Sequence, residues 1–186
     1  ISVLDGFKIS SNYVFRYLVK EHYGNVPAEY LSRLYSYGIG GKFDFELDGL
    51  ASGRIPDATA EGWSPTDLIS CAIGYSVQTT PLHMVTFYNA IANGGKMVNP
   101  KFVKAEMANG QIIREFPAEV LIEQICKPST LKDIQFCLNN VVSVGLGRKA
   151  GNGGKLFQVS GKTGTAQVAR GRQGYHSGTP RYMVSF

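Results

Sequence analysis

The chain has 186 residues, of which 44% are hydrophobic and 18% are charged, and its formal net charge is +5 at pH 7. This length suits one domain with a sizeable core, since domains commonly contain roughly 100–200 residues, and the composition excludes a disordered or low-complexity chain. No run reaches the roughly 18 apolar residues of a membrane helix. Ile1 begins no leader pattern, so we expect any export signal or anchor to lie upstream or to have been removed.

The first half of the sequence predicts helices on either side of an irregular stretch. Asn12 begins a helical pattern of apolar residues, and Pro27 opens a second helix that stops at Gly38. The stretch from Gly38 to Asp57 is rich in Gly, Asp and Pro, which is typical of an extended loop. Thr80-Pro81, a cap residue followed by proline, predicts a third helix. Its predicted buried face carries Leu82, Val85, Tyr88 and Ile91.

A hairpin is predicted next. Two strand-like runs, Lys101 to Met107 and Gln111 to Phe116, flank Ala108-Asn109-Gly110. Asn-Gly between such runs is a strong short-range hairpin signal, because both residues tolerate the positive φ angles of a tight turn. The sequence therefore predicts two antiparallel strands that turn at Asn109 and Gly110.

The last third of the sequence predicts one helix and then strands. Ser129 or Thr130 is expected to cap the helix, whose apolar positions precede Gly145. Strands are predicted over Val159 to Val168 and over Tyr182 to Phe186. Several helices followed by sheet strands predict an α+β fold. The apolar positions of the helix are Leu131, Ile134, Leu138 and Val141.

The positive charge is concentrated at one end of the sequence. Residues 134–186 contain seven Lys or Arg and no Asp or Glu. A field of one sign concentrates ligands of the opposite sign, here nucleic acid, acidic lipid or a substrate with a carboxylate, although a solvated basic face is the simplest interpretation. No recognition motif accompanies the charge, so we expect no nucleic-acid partner.

The cysteines and histidines predict neither a disulfide framework nor a metal site. Cysteine occurs three times, without CxxC spacing, and an odd count argues against complete pairing. The three histidines are scattered through the sequence and lack the spacing of metal ligands. We therefore expect no metal and no cofactor. The residues are Cys71, Cys126, Cys137, His22, His83 and His176.

The segment Ser160 to Gln167, which reads SGKTGTAQ, is the most informative in the chain. It contains Gly-Lys-Thr, but a phosphate-binding loop requires a glycine five residues before Gly161, where Leu156 stands. The remaining Lys-Thr-Gly triplet occurs by chance in many proteins, usually in a surface turn. In combination with S-x-x-K and S-x-N it is typical of penicillin-binding proteins and serine β-lactamases. Ser10-Ser11-Asn12 supplies S-x-N, 150 positions before Lys162.

The sequence between these motifs resembles that of the transpeptidase domain of class B penicillin-binding proteins. Gly38 to Pro56 resembles the family's Gly-rich segment after S-x-N, and Ala72 to Gly95 resembles its IGxG, TPLQM and IANGG block. The resemblance covers nearly the whole chain. Two positions depart from the pattern, Leu50 for a frequent glutamate and His83 for the usual Gln. Gly74-Tyr75, in place of Gly-Gln-Gly, favours a division (septal) member over an elongation member.

The first motif of the family, S-x-x-K, is matched only out of order. Ser129-Thr130-Leu131-Lys132 fits the letters, but in the family this motif precedes S-x-N, so we interpret Ser129 as a helix-cap residue. The resemblance then implies that the nucleophilic serine lies upstream of residue 1. Residues 1–186 are accordingly expected to form a partial transpeptidase domain of the penicillin-binding protein and serine β-lactamase fold. It would lack the S-x-x-K segment and the C-terminal end, and alone it would be inactive.

The resemblance also implies a role for each matching residue. Ser10 would relay a proton to the leaving group, Asn12 would hydrogen-bond the substrate amide and the absent lysine, and Lys162 would support Ser10 and keep the site electropositive. Gly164 would allow close approach of the substrate to the backbone. The substrate carboxylate would bind the hydroxyls of Thr163 and Thr165. The backbone N–H of Thr165 would donate to the oxyanion.

The expected reaction is cross-linking of peptidoglycan by acyl transfer from D-Ala-D-Ala stem peptides, with β-lactam antibiotics as further ligands. Other cell-division or cell-wall proteins are expected partners. The expected location is periplasmic or otherwise extracytoplasmic, with the membrane reached only through an N-terminal anchor outside the chain. A D,D-carboxypeptidase or β-lactamase of the same fold stays open, because the motifs are shared. A non-catalytic penicillin sensor or divisome scaffold is the alternative from another class, against which the intact Ser10, Asn12 and Lys162 argue.

Overall fold

A computed structural model of the chain describes residues 1–43, 48–150 and 157–164. The chain forms two compact units, one comprising Ile1–Arg16 and Lys132–Phe186 and the other Tyr17–Leu131. Helices and short antiparallel strands within the described ranges confirm the predicted α+β class. The helices are α1 Val3–Lys8, α2 Asn12–Tyr23, α3 Pro27–Ser36, α4 Pro65–Cys71, α5 Pro81–Ala92 and α6 Pro128–Ser143. The strands are β1 Met97–Val98, β2 Ala105–Ala108, β3 Gln111–Glu115 and β4 Val120–Ile122.

The unit Tyr17–Leu131 is built around a small apolar core. Leu31 of α3, Ile55 and Cys71 of α4 are its buried centre. Ile55 is held there because its neighbour Arg54 exchanges two backbone hydrogen bonds with Gln78, at 2.7 and 2.8 Å. Apart from this bridge, the described residues between Gly38 and Asp57 contain no helix or strand, in agreement with the predicted loop. The residues packed around the core are Tyr30, Leu34, Ile39, Ala58, Trp63 and Val77.

Helix α5 begins where the sequence predicts, but its buried face differs from the predicted one. The Thr80 hydroxyl accepts a hydrogen bond from the His83 backbone N–H at 3.4 Å, so Thr80 is the cap. Val85, predicted to be buried, is 64% exposed, and His83 is buried instead. His83 faces inward because its Nε2 donates to the Gly41 carbonyl oxygen at 2.7 Å, while its Nδ1 lies 2.6 Å from Thr80 Oγ1. The predicted face was therefore wrong at Val85, because hydrogen bonding of His83 outweighs the apolar pattern.

The predicted hairpin is present. Strands β2 and β3 pair antiparallel and turn through Asn109 and Gly110, whose φ angles of 51° and 78° are those of a two-residue turn with positive φ. Strands β1 and β4 form a second antiparallel pair. Residues 157–164 contain no regular strand. The rest of the predicted strand Val159 to Val168, and the predicted strand Tyr182 to Phe186, lie outside the described residues.

In the other unit, short contacts join α1, the start of α2 and α6. A Cβ atom at Gly6 would lie 2.8 Å from Val14 Cγ2, so glycine allows α1 and α2 to approach closely. The Leu146 N–H donates to the Lys8 carbonyl oxygen at 3.2 Å, which ties the residues after α6 to the end of α1. Helix α6 buries Leu131, Leu138, Val141 and Val142, three of which belong to the predicted face. These contacts fix the backbone on both sides of Ser10.

Replacing Gly6 should disturb this packing. Gly6→Ala brings a methyl group against Val14, and overpacking typically costs ~1–3 kcal/mol, of which the better helix propensity of alanine offsets up to ~1 kcal/mol. We expect the free energy of unfolding, measured by urea titration of the whole protein, to fall by about 1 kcal/mol. Val14→Ala in the same chain should abolish this loss. Gly41→Ala, whose Cβ would meet no atom of the described residues within 4 Å, is the control for the added methyl group. Equal losses with and without Val14 would rule out the proposed clash.

Candidate active site

Ser10 and Lys162 are in direct contact in the unit that contains both. Lys162 Nζ donates a hydrogen bond to Ser10 Oγ at 2.6 Å, although the two residues are 152 positions apart in the sequence. A second hydrogen bond runs from Lys162 Nζ to the Thr163 carbonyl oxygen at 3.0 Å. Both side chains are half-buried. The fold therefore joins the two motifs that the sequence places at opposite ends.

Ser10 occupies a backbone position that usually belongs to glycine. Helix α1 ends at Lys8 with Ile9 as its C-cap, and Ser10 follows with a φ of 54° in the left-handed region. The Ser10 N–H donates to the Phe7 carbonyl oxygen at 3.2 Å, and the Ser11 N–H donates to that of Gly6 at 2.8 Å. This pair of bonds is the Schellman motif that closes many helices. A side chain in this conformation costs roughly 1–3 kcal/mol, and such strain concentrates at functional sites.

The neighbouring Ser11 has a different task. Its hydroxyl accepts a hydrogen bond from the Val14 backbone N–H at 3.4 Å, which caps the first turn of α2. The hydroxyl of Ser10 is left for Lys162. Ser11 therefore caps a helix, whereas Ser10 belongs to the candidate site.

The ammonium group of Lys162 is partly removed from water. Burial lowers the pKa of Lys162 below the ordinary lysine value of 10.5, because the charged form loses hydration. The backbone next to it is held by the Gly161 N–H, which donates to the Leu138 carbonyl oxygen of α6 at 3.2 Å. The Lys162 Nζ also lies 5.8 Å from the centroid of the Phe7 ring. Within the described residues no carboxylate forms an ion pair with Lys162.

The structure shows fewer contacts for the other predicted site residues. Asn12 is the first residue of α2 and is exposed, and its side chain hydrogen-bonds none of the described residues. Thr163 and Gly164 are half-buried and follow Lys162 directly. Thr165 lies outside the described residues. The structure therefore brings Ser10 and Lys162 into contact, and the roles assigned to all six residues stay predictions.

Ser129 lies in the first turn of α6 and is exposed, which fits a helix-start residue. The predicted cap at Ser129 or Thr130 was wrong, because the helix already begins at Pro128 and both residues lie inside it. The carbonyl oxygen of Lys127 accepts the first helical hydrogen bond, from the Leu131 N–H at 3.0 Å. Proline is favoured at this first position because its missing N–H has no partner there.

The sequence analysis did not identify Phe7 as a neighbour of the site, and it did not predict the left-handed backbone conformation of Ser10. Phe7 lies on α1, a helix of only six residues that the sequence analysis did not predict. A Ser-x-x-Asp sequence at its start, Ser2 to Asp5, was the available signal, since the Ser2 hydroxyl accepts from the Asp5 N–H at 3.1 Å. The described residues contain no cluster of three or more metal-ligating side chains. None of the described helices is both long enough and apolar enough to cross a bilayer.

Comparisons with known proteins agree with the motif pattern. The sequence profile of the penicillin-binding protein transpeptidase domain matches residues 1–186. Penicillin-binding protein PbpB of Mycolicibacterium smegmatis is 29% identical over 147 residues, which cover 76% of this chain and 22% of that protein. Stage V sporulation protein D of Bacillus subtilis is 31% identical over 137 residues, which cover 72% of this chain and 20% of that protein. The chain thus spans about a fifth of the length of these curated relatives.

A solved structure shares the fold. Penicillin-binding protein 3 from Mycobacterium tuberculosis, complexed with aztreonam and separately with ampicillin, superposes with a TM-score of 0.78 at 29% identity. The matched region covers 94% of this chain and 39% of that chain. The predicted transpeptidase fold is therefore confirmed, and the chain corresponds to part of it.

Two replacements of Ser10 separate backbone strain from the hydroxyl. Ser10→Gly and Ser10→Ala both remove Oγ, but only glycine relieves the left-handed conformation. The free energy of unfolding should therefore be higher for Ser10→Gly than for Ser10→Ala by about 1 kcal/mol, as measured by urea titration. Identical stabilities for the two variants would show that the positive φ of Ser10 carries no strain.

Proposed function

This chain belongs to the penicillin-binding protein transpeptidase domain family, and on that premise we propose that the protein carrying it is a peptidoglycan D,D-transpeptidase. The reaction is acyl transfer from a D-Ala-D-Ala stem peptide, first to a serine and then to the amine of a second peptide. The observation that carries the proposal is the hydrogen bond of 2.6 Å from Lys162 Nζ to Ser10 Oγ. It joins the S-x-N and K-T-G motifs, which such a reaction requires at one substrate carbonyl.

The direction of this hydrogen bond supports a proton relay through Ser10. A charged ammonium is only a donor, so Ser10 Oγ accepts from Lys162 and its own O–H proton is free to be donated. When the nucleophile attacks the penultimate D-Ala carbonyl, the C–N bond to the terminal D-Ala breaks and the leaving nitrogen needs a proton. Ser10 can supply that proton, and the proton that the nucleophilic serine gives up, passed on by the lysine of S-x-x-K, replaces it on Ser10. Proton transfer of this kind typically contributes ~10²–10⁴-fold in rate.

The residues around Lys162 supply the anchor for the substrate's terminal carboxylate. Lys162 contributes positive charge, and the hydroxyls of Thr163 and Thr165 contribute hydrogen bonds. Gly164 leaves room for the substrate beside the backbone. The backbone N–H of Thr165 is the proposed oxyanion donor, and loss of one such donor costs roughly 10²–10³ in rate. The sequence from residue 134 onward, to which these residues belong, contains seven Lys or Arg and no Asp or Glu, so it adds no acidic side chain that would repel the carboxylate.

The proposal also covers the position of the nucleophile, the membrane anchor and the partner proteins. The serine and lysine of S-x-x-K lie outside residues 1–186, as does a membrane anchor that holds the domain on the extracytoplasmic side. Asn12 hydrogen-bonds the substrate amide and that lysine. β-Lactams acylate the same serine, because they resemble the D-Ala-D-Ala end. Division proteins are the proposed partners, in keeping with a septal role.

A serine-relay mechanism makes the activity depend on the charge of Lys162. Its pKa is lowered below 10.5 by burial, so the ammonium is present at low pH and is lost as the pH rises through this lowered value. The rate of β-lactam acylation should therefore fall at a pH below 10.5. Lys162→Arg, which stays charged, should remove this alkaline decline. A decline that persists unchanged in Lys162→Arg would assign it to another group.

Intact-mass spectrometry after incubation with a β-lactam tests the site assignment. The whole protein should form a stoichiometric adduct, and residues 1–186 alone should form none. Lys162→Ala and Ser10→Ala in the whole protein should slow adduct formation by roughly 10² or more.

The matched controls are Ser129→Ala and Lys132→Ala, which alter the out-of-order S-x-x-K match on the exposed surface of α6. Both should acylate at the unaltered rate. A stoichiometric adduct on residues 1–186 that disappears in Ser129→Ala would overturn the assignment of the nucleophile.

A further inference from the structure

Phe7 contacts both partners of the hydrogen bond between Lys162 and Ser10. Its backbone carbonyl oxygen accepts from the Ser10 N–H at 3.2 Å. Its ring centroid lies 5.8 Å from Lys162 Nζ. The ring packs against Phe15 of α2, with centroids 5.7 Å apart and an interplanar angle of 72°, an edge-to-face arrangement. One residue of α1 therefore touches the serine through its backbone and the lysine through its side chain.

We propose that Phe7 is a positioning residue for Lys162: the face of the Phe7 ring holds the ammonium group over Ser10 and offsets part of the cost of burying its charge. This inference rests on the proposed function, in which the charge of Lys162 serves the reaction. A cation within about 6 Å of an aromatic centroid is attracted by the negative face of the ring. The attraction is stronger where water is partly excluded, as it is around the half-buried Lys162.

The hydrogen bonds of Lys162 show how the ring of Phe7 could stabilise the ammonium group. An ammonium group has three protons to donate, and among the described residues its acceptors are Ser10 Oγ and the Thr163 carbonyl oxygen. Burial disfavours the charged form, and the ring compensates part of that loss without competing for Ser10. A carboxylate in the same place would bind the ammonium more strongly and would repel the carboxylate of the substrate.

No charged side chain of the neighbouring elements pairs with Lys162 within the described residues. On α1, Asp5 and Lys8 form an ion pair with each other at 2.7 Å. Arg16 on α2 and the α6 residues Lys132 and Asp133 are exposed. Burial alone accounts for the lowered pKa of Lys162. The ring of Phe7 is therefore the group whose alteration should change this pKa most clearly.

Fluorination of the ring separates its electrostatics from its bulk. Pentafluorophenylalanine at position 7 of the whole protein retains the shape and the burial but reverses the charge of the ring face. The pKa of Lys162, followed by NMR of ε-¹³C-lysine and assigned with Lys162→Arg, should fall by roughly half a pH unit to one pH unit. Phe7→Ala should move the pKa in the opposite direction, toward 10.5, because water reaches the ammonium. Phe7→Tyr, which keeps an aromatic face, should leave it near the starting value.

Pentafluorophenylalanine at position 15 is the matched control, because it alters the same ring pair at the residue that supports Phe7. It should shift the pKa of Lys162 less than the replacement at position 7. An unchanged or raised pKa of Lys162 in the fluorinated position-7 protein would overturn the proposal. Fluorination keeps an aromatic ring of similar size at position 7, so the test does not depend on Phe7→Ala folding.

The rate of β-lactam acylation, measured on the same proteins, separates this inference from the proposed function. If both are right, the alkaline decline of the acylation rate shifts by the same amount as the NMR pKa. A shifted NMR pKa with an unshifted acylation profile would support the positioning role of Phe7 and contradict the role of Lys162 in the reaction.

Discussion

The hydrogen bond between Lys162 Nζ and Ser10 Oγ is the interaction on which the rest of the site depends. At 2.6 Å it closes a separation of 152 residues and brings a donor-only cation against a hydroxyl. In the proposed mechanism this polarity sets the direction of proton transfer, because it directs the proton of Ser10 away from Lys162. It also decides what the fold must supply, namely partial burial of an ammonium group and a fixed position for the serine.

Both requirements cost free energy, and packing in the same unit offsets them. Ser10 adopts a φ of 54°, and the Schellman hydrogen bonds to Phe7 and Gly6 hold it there. Gly6 lets α1 lie close against Val14 of α2, so the turn that carries Ser10 is supported by side-chain contact. The segment that carries Lys162 is held on α6 by the hydrogen bond from the Gly161 N–H to the Leu138 carbonyl oxygen. Strain at the serine is thus maintained by its surroundings, as is usual at functional sites.

Patterns carried by strong local signals were predictable from the sequence. The turn at Asn109-Gly110 and the cap at Thr80 depend on backbone preferences of a few adjacent residues, and both are present. The contact of Ser10 with Lys162 was expected from the order of motifs shared with a known family. The inward face of α5 was not predictable, because the buried His83 is held by the carbonyl oxygen of Gly41, 42 positions away. The left-handed conformation of Ser10 and the position of the Phe7 ring near Lys162 were not predictable either. Both depend on tertiary contacts, which produce no periodic pattern in the sequence.

A double-mutant cycle on Ser10 and Lys162 tests the central claim most directly. The measurement is the rate of β-lactam acylation of the whole protein, for Ser10→Ala, for Lys162→Ala and for the two together. If the residues act through their mutual hydrogen bond, the double variant should be about as slow as the slower single variant, with a coupling of roughly 0.5–3 kcal/mol. If the two effects simply multiply, the residues act independently and the account of the site is contradicted.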